Sequence, residues 1–378
     1  MVAHGGNLRE LSELAGLPVE SLLDFSANIN PLGPPQWLGE VVRAHVADVA
    51  HYPDPQCRAL VEAFVHRHGI PAEKVVPSNG SSELIAWLPR VLEVRSAVIP
   101  VPTYSEYEAA CKAAGVQVRR VLLEDVRDFA LDFEQLADTL RGDEVVFLGR
   151  PNNPTGQLFS AVEFLAFASS FSSCWFVVDE AFIEFTGEEE TPKLQGRQNP
   201  RPERDTIVHA DLNNVVVIRS LTKLYAIPGL RLGFAVAPLP LAEALRAVMP
   251  PWSVNVLAQA VGQRAILDAA YVAATRKLVL QERNWLSEQL GMIPGLRVFP
   301  GKANYLLARL EGERLQLKAS ELAFCLLREG IAIRTCADFA GLDDRYFRVA
   351  VRTRSENERL VGALGALLGR PGRQPEAR

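Results

Sequence analysis

The feature of this sequence that most constrains its fold is a regular alternation of short apolar runs with helical patterns. The apolar runs occur at residues 75–76, 97–101, 116–123, 144–148, 175–178, 215–218 and 232–236. Short apolar runs bounded by turn signals are typical of buried strands. Amphipathic segments, such as residues 105–114, separate them. Strands that alternate with helices predict an α/β fold built on a mostly parallel sheet that is covered by helices.

Polar residues follow the ends of several of these predicted strands. They are Gly80-Ser81-Ser82, Asn153, Asp179, and Ser220 with Lys223. In a parallel sheet such ends lie along one edge, so we expect these side chains to converge on one ligand. No single signal is specific, because Gly80-Ser81-Ser82, for example, is equally typical of an ordinary turn and helix cap. The order of the whole set along the chain is what carries information.

The stretch from residue 215 to residue 233 carries the most telling chemistry. Lys223 follows a predicted strand, and lysine forms Schiff bases with carbonyl compounds. Ser220, Thr222 and Arg231 surround it in sequence, and such groups bind phosphate. An amine beside an anion site suits a phosphorylated aldehyde, which indicates pyridoxal 5'-phosphate (PLP). Asp179 follows a predicted buried strand and needs a partner there, and the protonated pyridine nitrogen of PLP would be one.

Simpler interpretations of these residues exist. A lone lysine is usually a solvated surface residue. Ser220-x-x-Lys223 also matches the first motif of serine acylases, but these need Ser-Asp-Asn and Lys-Thr-Gly partners, and neither tripeptide occurs in the sequence. A cofactor site is favoured because other polar residues at strand ends accompany Lys223 in the sequence.

The composition excludes some classes of function. A net charge of −5 and a pI near 5.8 give no electrostatic case for nucleic-acid or membrane partners. No apolar run approaches the length of a membrane span, and the first residues do not resemble a secretory signal. The five cysteines are scattered without a Cys-x-x-Cys motif, which fits a reducing cytoplasm and predicts neither a disulfide framework nor a metal site.

The chain is long enough for about two domains. We expect a large domain over residues 46–285. We expect a smaller α+β domain formed by residues 1–45 together with 286–370, followed by a frayed tail at 371–378. Residues 186–205 contain two prolines that flank Arg201 and a run of three glutamates, and we interpret them as an exposed loop.

The motifs together resemble those of the fold-type I PLP enzymes, the aspartate aminotransferase superfamily. They are Asn-Pro-Thr-Gly at 153–156, Asp-Glu-Ala-Phe at 179–182, Ser-Leu-Thr-Lys at 220–223 and Gly-Leu-Arg-Leu-Gly at 229–233. The branch that the chain resembles includes histidinol-phosphate aminotransferases and the threonine-phosphate decarboxylases of cobalamin biosynthesis. His-Gly-Gly-Asn at 4–7, the segment at 24–33 and Pro-Thr-Tyr-Ser-Glu-Tyr at 102–107 look most like the decarboxylases. The resemblance implies an aspartate-aminotransferase-like fold with a seven-stranded, mostly parallel sheet.

The resemblance also implies roles for the cofactor-binding residues. Lys223 would hold PLP as a Schiff base and act as the catalytic residue, while Asp179 would keep the pyridine nitrogen protonated. Asn153 would donate a hydrogen bond to the phenolic oxygen of the ring, and Tyr104 would stack on the ring face. The remaining predicted contacts are all to the cofactor phosphate: Ser81, Ser82, Ser220, Arg231 and, across the interface of a homodimer, Tyr52.

The predicted substrate is a phosphorylated amino acid. By resemblance, Arg348 would bind its α-carboxylate and Arg334 its phosphate, and His4 and Asn30 would be further contacts. The activity implied is decarboxylation of L-threonine O-3-phosphate to 1-amino-2-propanol O-2-phosphate, a step in cobalamin biosynthesis. The alternative is transamination of histidinol phosphate with 2-oxoglutarate, in which the same pocket would align the Cα–H bond for cleavage.

One position departs from the superfamily pattern. Aminotransferases of this superfamily usually carry a tyrosine where this chain has Phe182. That hydroxyl donates to the phenolic oxygen of PLP and helps lower the pKa of the lysine–cofactor imine. We therefore expect a raised imine pKa in this protein, and we regard phenylalanine as compatible with a decarboxylase.

Overall fold

The computed structural model of the chain describes residues 5–186, 206–312 and 317–369. His4, almost all of the predicted loop at 186–205 and the predicted tail at 371–378 lie outside the described residues. The strands are Leu23–Asp24 (β1), Val75–Ser78 (β2), Ser96–Val101 (β3), Gln117–Leu122 (β4), Glu144–Gly149 (β5), Trp175–Asp179 (β6), Val215–Ser220 (β7), Gly233–Val236 (β8), Leu296–Val298 (β9), Tyr305–Leu310 (β10), Ile331–Ala332 (β11), Arg334–Thr335 (β12) and Tyr346–Ala350 (β13).

The α-helices lie between and after these strands. They are Leu8–Ala15 (α1), Leu38–His45 (α2), Arg58–His68 (α3), Ser81–Val91 (α4), Ser105–Ala113 (α5), Phe133–Thr139 (α6), Ala161–Ser170 (α7), Leu239–Val248 (α8), Val256–Leu267 (α9), Ala269–Gly291 (α10), Ala319–Arg328 (α11) and Arg354–Leu368 (α12). The sequence pattern predicts one long helical region over about residues 254–290, and the structure forms two helices there. They meet at Asp268, whose carboxylate accepts from the Tyr271 N–H and caps the start of α10.

Seven strands form the central sheet, in the order β2-β8-β7-β6-β5-β3-β4. Strands β3 to β7 pair in parallel, whereas β8 runs antiparallel to both of its neighbours, β2 and β7. The prediction of a mostly parallel seven-stranded sheet is therefore confirmed. Because β5, β6 and β7 are covered on both faces, their sequences are nearly continuous in apolar residues rather than alternating.

Helices cover both faces of this sheet. Neighbouring residues of β5 show the division: Val146 packs into one apolar cluster with residues of α3 and α7, and Phe147 packs into the other with residues of α4 and α5. Successive side chains of a strand point to opposite faces, so one strand serves two cores. The two cores hold the central strands in place. They therefore also fix the carboxyl ends of these strands, where the candidate site lies.

The C-terminal part of the chain forms a second, antiparallel sheet in the order β12-β13-β10-β9. It packs against α11, α12 and the end of α10 through a third apolar cluster, which includes Phe25 from the N-terminal segment. The N-terminal segment also supplies β1, which pairs in parallel with β11. The N-terminal and C-terminal segments thus contact each other, and the division into two domains stays a prediction.

The segment after β4 connects the two sheets. Its Phe129 side chain is buried in a cluster with Phe299 and Tyr346 of the C-terminal part. Asp125 pairs with Arg309 of β10 and accepts from the Tyr346 hydroxyl at 2.9 Å. These contacts fix the small sheet against the carboxyl ends of the large one. In the described part of the chain, no helix is both long and apolar enough to span a membrane.

Candidate active site

A cavity of about 220 Å³ lies at the carboxyl ends of the central strands, between the two sheets. Of the residues predicted from sequence to form the site, it is lined by Ser81, Ser82, Tyr104, Asn153, Asp179, Ser220, Lys223, Arg231, Arg334 and Arg348. Phe182 lines it as well. The exposed Tyr52 and the buried Asn30 are not among the lining residues.

Lys223 is held in a short loop between β7 and β8. Backbone hydrogen bonds close this loop from Leu221 N–H to Leu232 O (3.1 Å) and from Ile227 N–H to Thr222 O (3.0 Å). Burial lowers the pKa of Lys223 to about 8, and the positive charges of Arg348 and Arg231 act in the same direction. A lysine with a lowered pKa is partly neutral near neutral pH, which is the form that attacks a carbonyl carbon.

Asp179 ends β6 and faces the same cavity. Its Oδ2 accepts from the Tyr107 hydroxyl at 2.9 Å, and its Oδ1 accepts from the Ala181 N–H at 3.0 Å. Burial raises the pKa of Asp179 to about 6, although both hydrogen bonds favour the charged form. A buried carboxylate of this kind is stabilised by a cation, and a protonated ring nitrogen would supply one.

Behind Asp179, a buried ionic network anchors the strand end. Glu180 pairs with Arg150 at 3.1 Å, just after β5, and with Arg219 of β7 at 3.4 Å. Arg219 also pairs with Glu184, which in turn pairs with Arg276 of α10 at 2.5 Å. The network ties β5, β6 and β7 together at the edge that carries Asp179 and Lys223.

The start of α4 and Arg231 form an anion cradle. Gly80 precedes the helix with φ of +77°, and a Cβ there would lie 2.5 Å from Nη2 of Arg231, so only glycine lets the guanidinium approach. Arg231 donates to Ser82 Oγ at 3.3 Å, and the hydroxyls of Ser220 and Thr222 lie 2.8 Å apart. Helix N–H groups, hydroxyls and an arginine together suit a phosphate.

Arg334 and Arg348 lie directly opposite each other on β12 and β13, and both are buried. Like charges in such cross-strand positions destabilise a sheet unless an anion meets them. Arg348 donates to Asn153 Oδ1 and to the Ser26 carbonyl at 2.8 Å, both neutral oxygens, and burial lowers its pKa. Its Nε has no partner among the described residues. The pair is a ready site for anionic groups of a ligand.

The structure places Asn28, rather than Asn30, at the cavity. The Asn30 amide donates to Leu224 O (2.6 Å), Thr275 Oγ1 (2.7 Å) and Tyr271 OH (3.1 Å), so it braces the lysine loop from behind. Asn28 lines the cavity, and its buried Oδ1 has no hydrogen-bond partner among the described residues. The two asparagines are two residues apart in an extended segment, so sequence spacing could not separate their roles.

Sequence reasoning also missed Tyr107, the partner of Asp179. A signal was present, because Tyr107 lies three residues after Tyr104 at the start of a predicted helix, so the two fall on one face. Their rings are 5.6 Å apart and nearly perpendicular. Tyr107 therefore contacts both Tyr104, which is proposed to stack on the ring face, and Asp179, which is proposed to bind the ring nitrogen.

Residues 20–364 match the sequence pattern described as aminotransferase class I and II. The chain belongs to this family. Its members are PLP-dependent enzymes, and the donor set of the cavity fits that cofactor: a buried lysine, a buried carboxylate and a cradle for phosphate. This confirms the family, the enzyme class and the cofactor that the motifs indicated.

Particular relatives within the aminotransferase class I and II family give the comparison more detail. Threonine-phosphate decarboxylase of Salmonella typhimurium is 38% identical over 372 residues, which cover 97% of this chain and 96% of that protein. The adenosylcobalamin biosynthesis bifunctional protein CobDQ of Leptospira interrogans is 35% identical over 365 residues. That match covers 95% of this chain but 40% of the bifunctional protein, so this chain spans less than half of that relative.

A solved structure gives the same fold. The histidinol-phosphate aminotransferase from Clostridium acetobutylicum superposes with a TM-score of 0.80 at 29% identity, covering 92% of this chain and 99% of that one. The aspartate-aminotransferase-like fold expected from the motifs is therefore confirmed. Relatives with two different activities share the fold, so the activity must be argued from the cavity.

Proposed function

We propose that this chain is a PLP-dependent decarboxylase that converts L-threonine O-3-phosphate to 1-amino-2-propanol O-2-phosphate in cobalamin biosynthesis. The observation that carries the proposal is the buried, cross-strand pair of Arg334 and Arg348 at the cavity wall. A substrate with both a phosphate and a carboxylate supplies an anion to each of these guanidinium groups. The 38% identity to a threonine-phosphate decarboxylase over nearly the full chain supports the same assignment.

Several residues of the cavity have separate roles in the proposed reaction. Arg348 binds the α-carboxylate and Arg334 the phosphate, and Asn28 takes the place that sequence reasoning gave to Asn30. Asp179 holds the proton on the pyridine nitrogen of the cofactor. The cofactor, when bound, supplies an electron sink for the pair of electrons left at Cα. His4 stays a predicted further contact.

The orientation of the substrate decides which bond at Cα breaks, and this chain's own residues would set it. In the proposed reaction, Arg334 and Asn28 would hold the phosphate side of the substrate and Arg348 its carboxylate, so that the bond from Cα to the carboxylate is presented for cleavage. Lys223, with its lowered pKa, then returns a proton to Cα as a general acid. Holding of the substrate and return of the proton both use only side chains that line the cavity.

A second candidate is a histidinol-phosphate aminotransferase. The observation in its favour is the structural relative of that name, with a TM-score of 0.80. The same cavity would bind the phosphate of that substrate at Arg334, and the Cα–H bond would be aligned for cleavage, since histidinol phosphate carries no carboxylate. Phe182, which lines the cavity next to Tyr305, is the departure from the aminotransferase pattern that favours the first candidate.

The proposal includes a homodimer. Tyr52 is 80% exposed and packs on Trp252 with ring centroids 4.6 Å apart, and exposed Val46 and Val49 lie on the same stretch of chain. An exposed apolar surface of this kind suits an interface. A second copy would bring its Tyr52 to the cofactor phosphate of the first. Sedimentation of the wild-type protein and of Val49→Glu tests this, since a dimer should give way to a monomer in the variant.

The test of the activity is to supply purified, PLP-loaded protein with L-threonine O-3-phosphate and no keto acid. Release of carbon dioxide in equal amount to the consumed substrate is expected. Lys223→Ala is the control and should release none. Turnover that occurs only with histidinol phosphate plus 2-oxoglutarate would replace the first candidate by the second.

A further inference from the structure

Asp338 makes an ion pair with Arg334 at the wall of the cavity. Its Oδ2 lies 2.5 Å from Nη2 of Arg334, and the guanidinium packs over the Phe339 ring at 5.2 Å. Asp338 follows β12 by three residues, so the acid and the base belong to one short segment. The carboxylate thus engages Nη2 of an arginine that lines the cavity, while Asp338 itself is not among the lining residues.

Arg334 and Asp338 differ in how far their side chains are exposed to solvent. The Arg334 side chain is 7% exposed, whereas the Asp338 side chain is 44% exposed. Arg334 is fixed in its strand opposite Arg348 and by a hydrogen bond to the Thr335 carbonyl. Asp338 can turn into solvent, where its charge is hydrated, at little cost.

We propose that Asp338 is a displaceable counter-ion, which neutralises Arg334 in the empty site and must give way when a substrate phosphate binds. This inference rests on the proposed function, which assigns the substrate phosphate to Arg334. A dianionic phosphate beside a fixed carboxylate would be repelled, so binding either moves Asp338 or is weakened by it. Asp338 thereby lowers affinity for the anion and speeds release of the phosphorylated product.

The variant Asp338→Asn isolates the charge, because asparagine keeps the size of the side chain and a hydrogen-bonding oxygen. Removing one partly exposed charge at this distance should tighten anion binding about tenfold. The KM for the phosphorylated substrate should fall by a similar factor. The turnover number should stay equal or fall, since product leaves more slowly.

Inorganic phosphate is a suitable probe in the PLP-loaded protein, where the cofactor fills its own phosphate cradle. Calorimetric titration should give a dissociation constant about tenfold lower for Asp338→Asn than for the wild type. Asp343→Asn is the matched control, because Asp343 makes an exposed ion pair with Arg345 at 2.7 Å outside the cavity, and it should bind phosphate as the wild type does. Unchanged or weaker binding in Asp338→Asn overturns the proposal.

The variant Arg334→Gln tests separately whether Arg334 binds phosphate, which is the assignment on which the inference about Asp338 rests. If Arg334→Gln weakens phosphate binding and Asp338→Asn leaves it unchanged, Arg334 binds the anion and Asp338 is not a competitor for it. If neither variant changes phosphate binding, the phosphate assignment at Arg334 fails, and the inference about Asp338 fails with it.

Discussion

Replacing Asp179 by asparagine should make the cofactor-free protein more stable, because the native residue is a buried acid that is charged at neutral pH. Burial raises its pKa to about 6 from an ordinary value of 3.8. A group whose pKa is raised on folding favours the folded state in its protonated form, so its contribution is fully present below pH 3.8. It is lost as the pH rises through 6. The loss is about 3 kcal/mol at pH 7 and about 1.5 kcal/mol at pH 5.

Urea unfolding of the cofactor-free protein tests this reasoning. Asp179→Asn should exceed the wild type in unfolding free energy by about 3 kcal/mol at pH 7, and by about half as much at pH 5. Asp211→Asn, at a side chain that is 99% exposed, should change little at either pH. With PLP added, the wild type should gain more stability than the Asp179 variant, which keeps Lys223 and the phosphate cradle but lacks the charge that pairs with the ring nitrogen. If Asp179→Asn raised the unfolding free energy equally at both pH values, or lowered it at pH 7, the buried charge of Asp179 would not be what destabilises the wild type.

The remaining predictions concern the lysine, the ring oxygen and the two asparagines. Lys223→Ala should abolish both turnover and the visible absorbance of the lysine-bound cofactor, and retention of either would contradict its assignment. Phe182→Tyr should lower the imine pKa in a spectral titration, since the hydroxyl donates to the ring oxygen; no shift would count against that role. Asn30→Ala should cost about 2 kcal/mol of stability by removing buried hydrogen bonds, as measured by urea unfolding. Asn28→Ala should instead raise KM with little change in stability, and the opposite pattern would restore Asn30 to the substrate site.

The large sheet was predictable because both of its faces are covered. Strands such as β5, with Val-Val-Phe-Leu, and β7, with Val-Val-Val-Ile, contain continuous apolar runs, and that pattern can be recognised in the sequence without knowledge of tertiary contacts. The strand-end rule then placed Asp179 and Lys223 at one edge from spacing alone. The break at Asp268 between α9 and α10 was not predicted, because the helical pattern of the sequence continues through it.

The substrate side of the cavity was harder to predict, because it depends on contacts between distant parts of the chain. Asn28 and Asn30 differ in role only because Leu224, Thr275 and Tyr271 approach one of them. The pairing of Arg334 with Asp338 likewise needs the turn that follows β12. Sequence patterns report which residues are apolar or strand-like, but not which of two similar polar side chains finds a partner.

The residues proposed for the chemistry and those proposed for substrate binding come from different parts of the fold. Asp179 ends β6 of the central sheet and Lys223 lies in the loop after β7, while Arg334 and Arg348 belong to the small sheet. With the roles proposed above, substrate preference could change through residues 331–348 and the segment around Asn28 while Lys223 and Asp179 stay the same. A chimaera that swaps both of these segments would inherit the substrate preference of its donor.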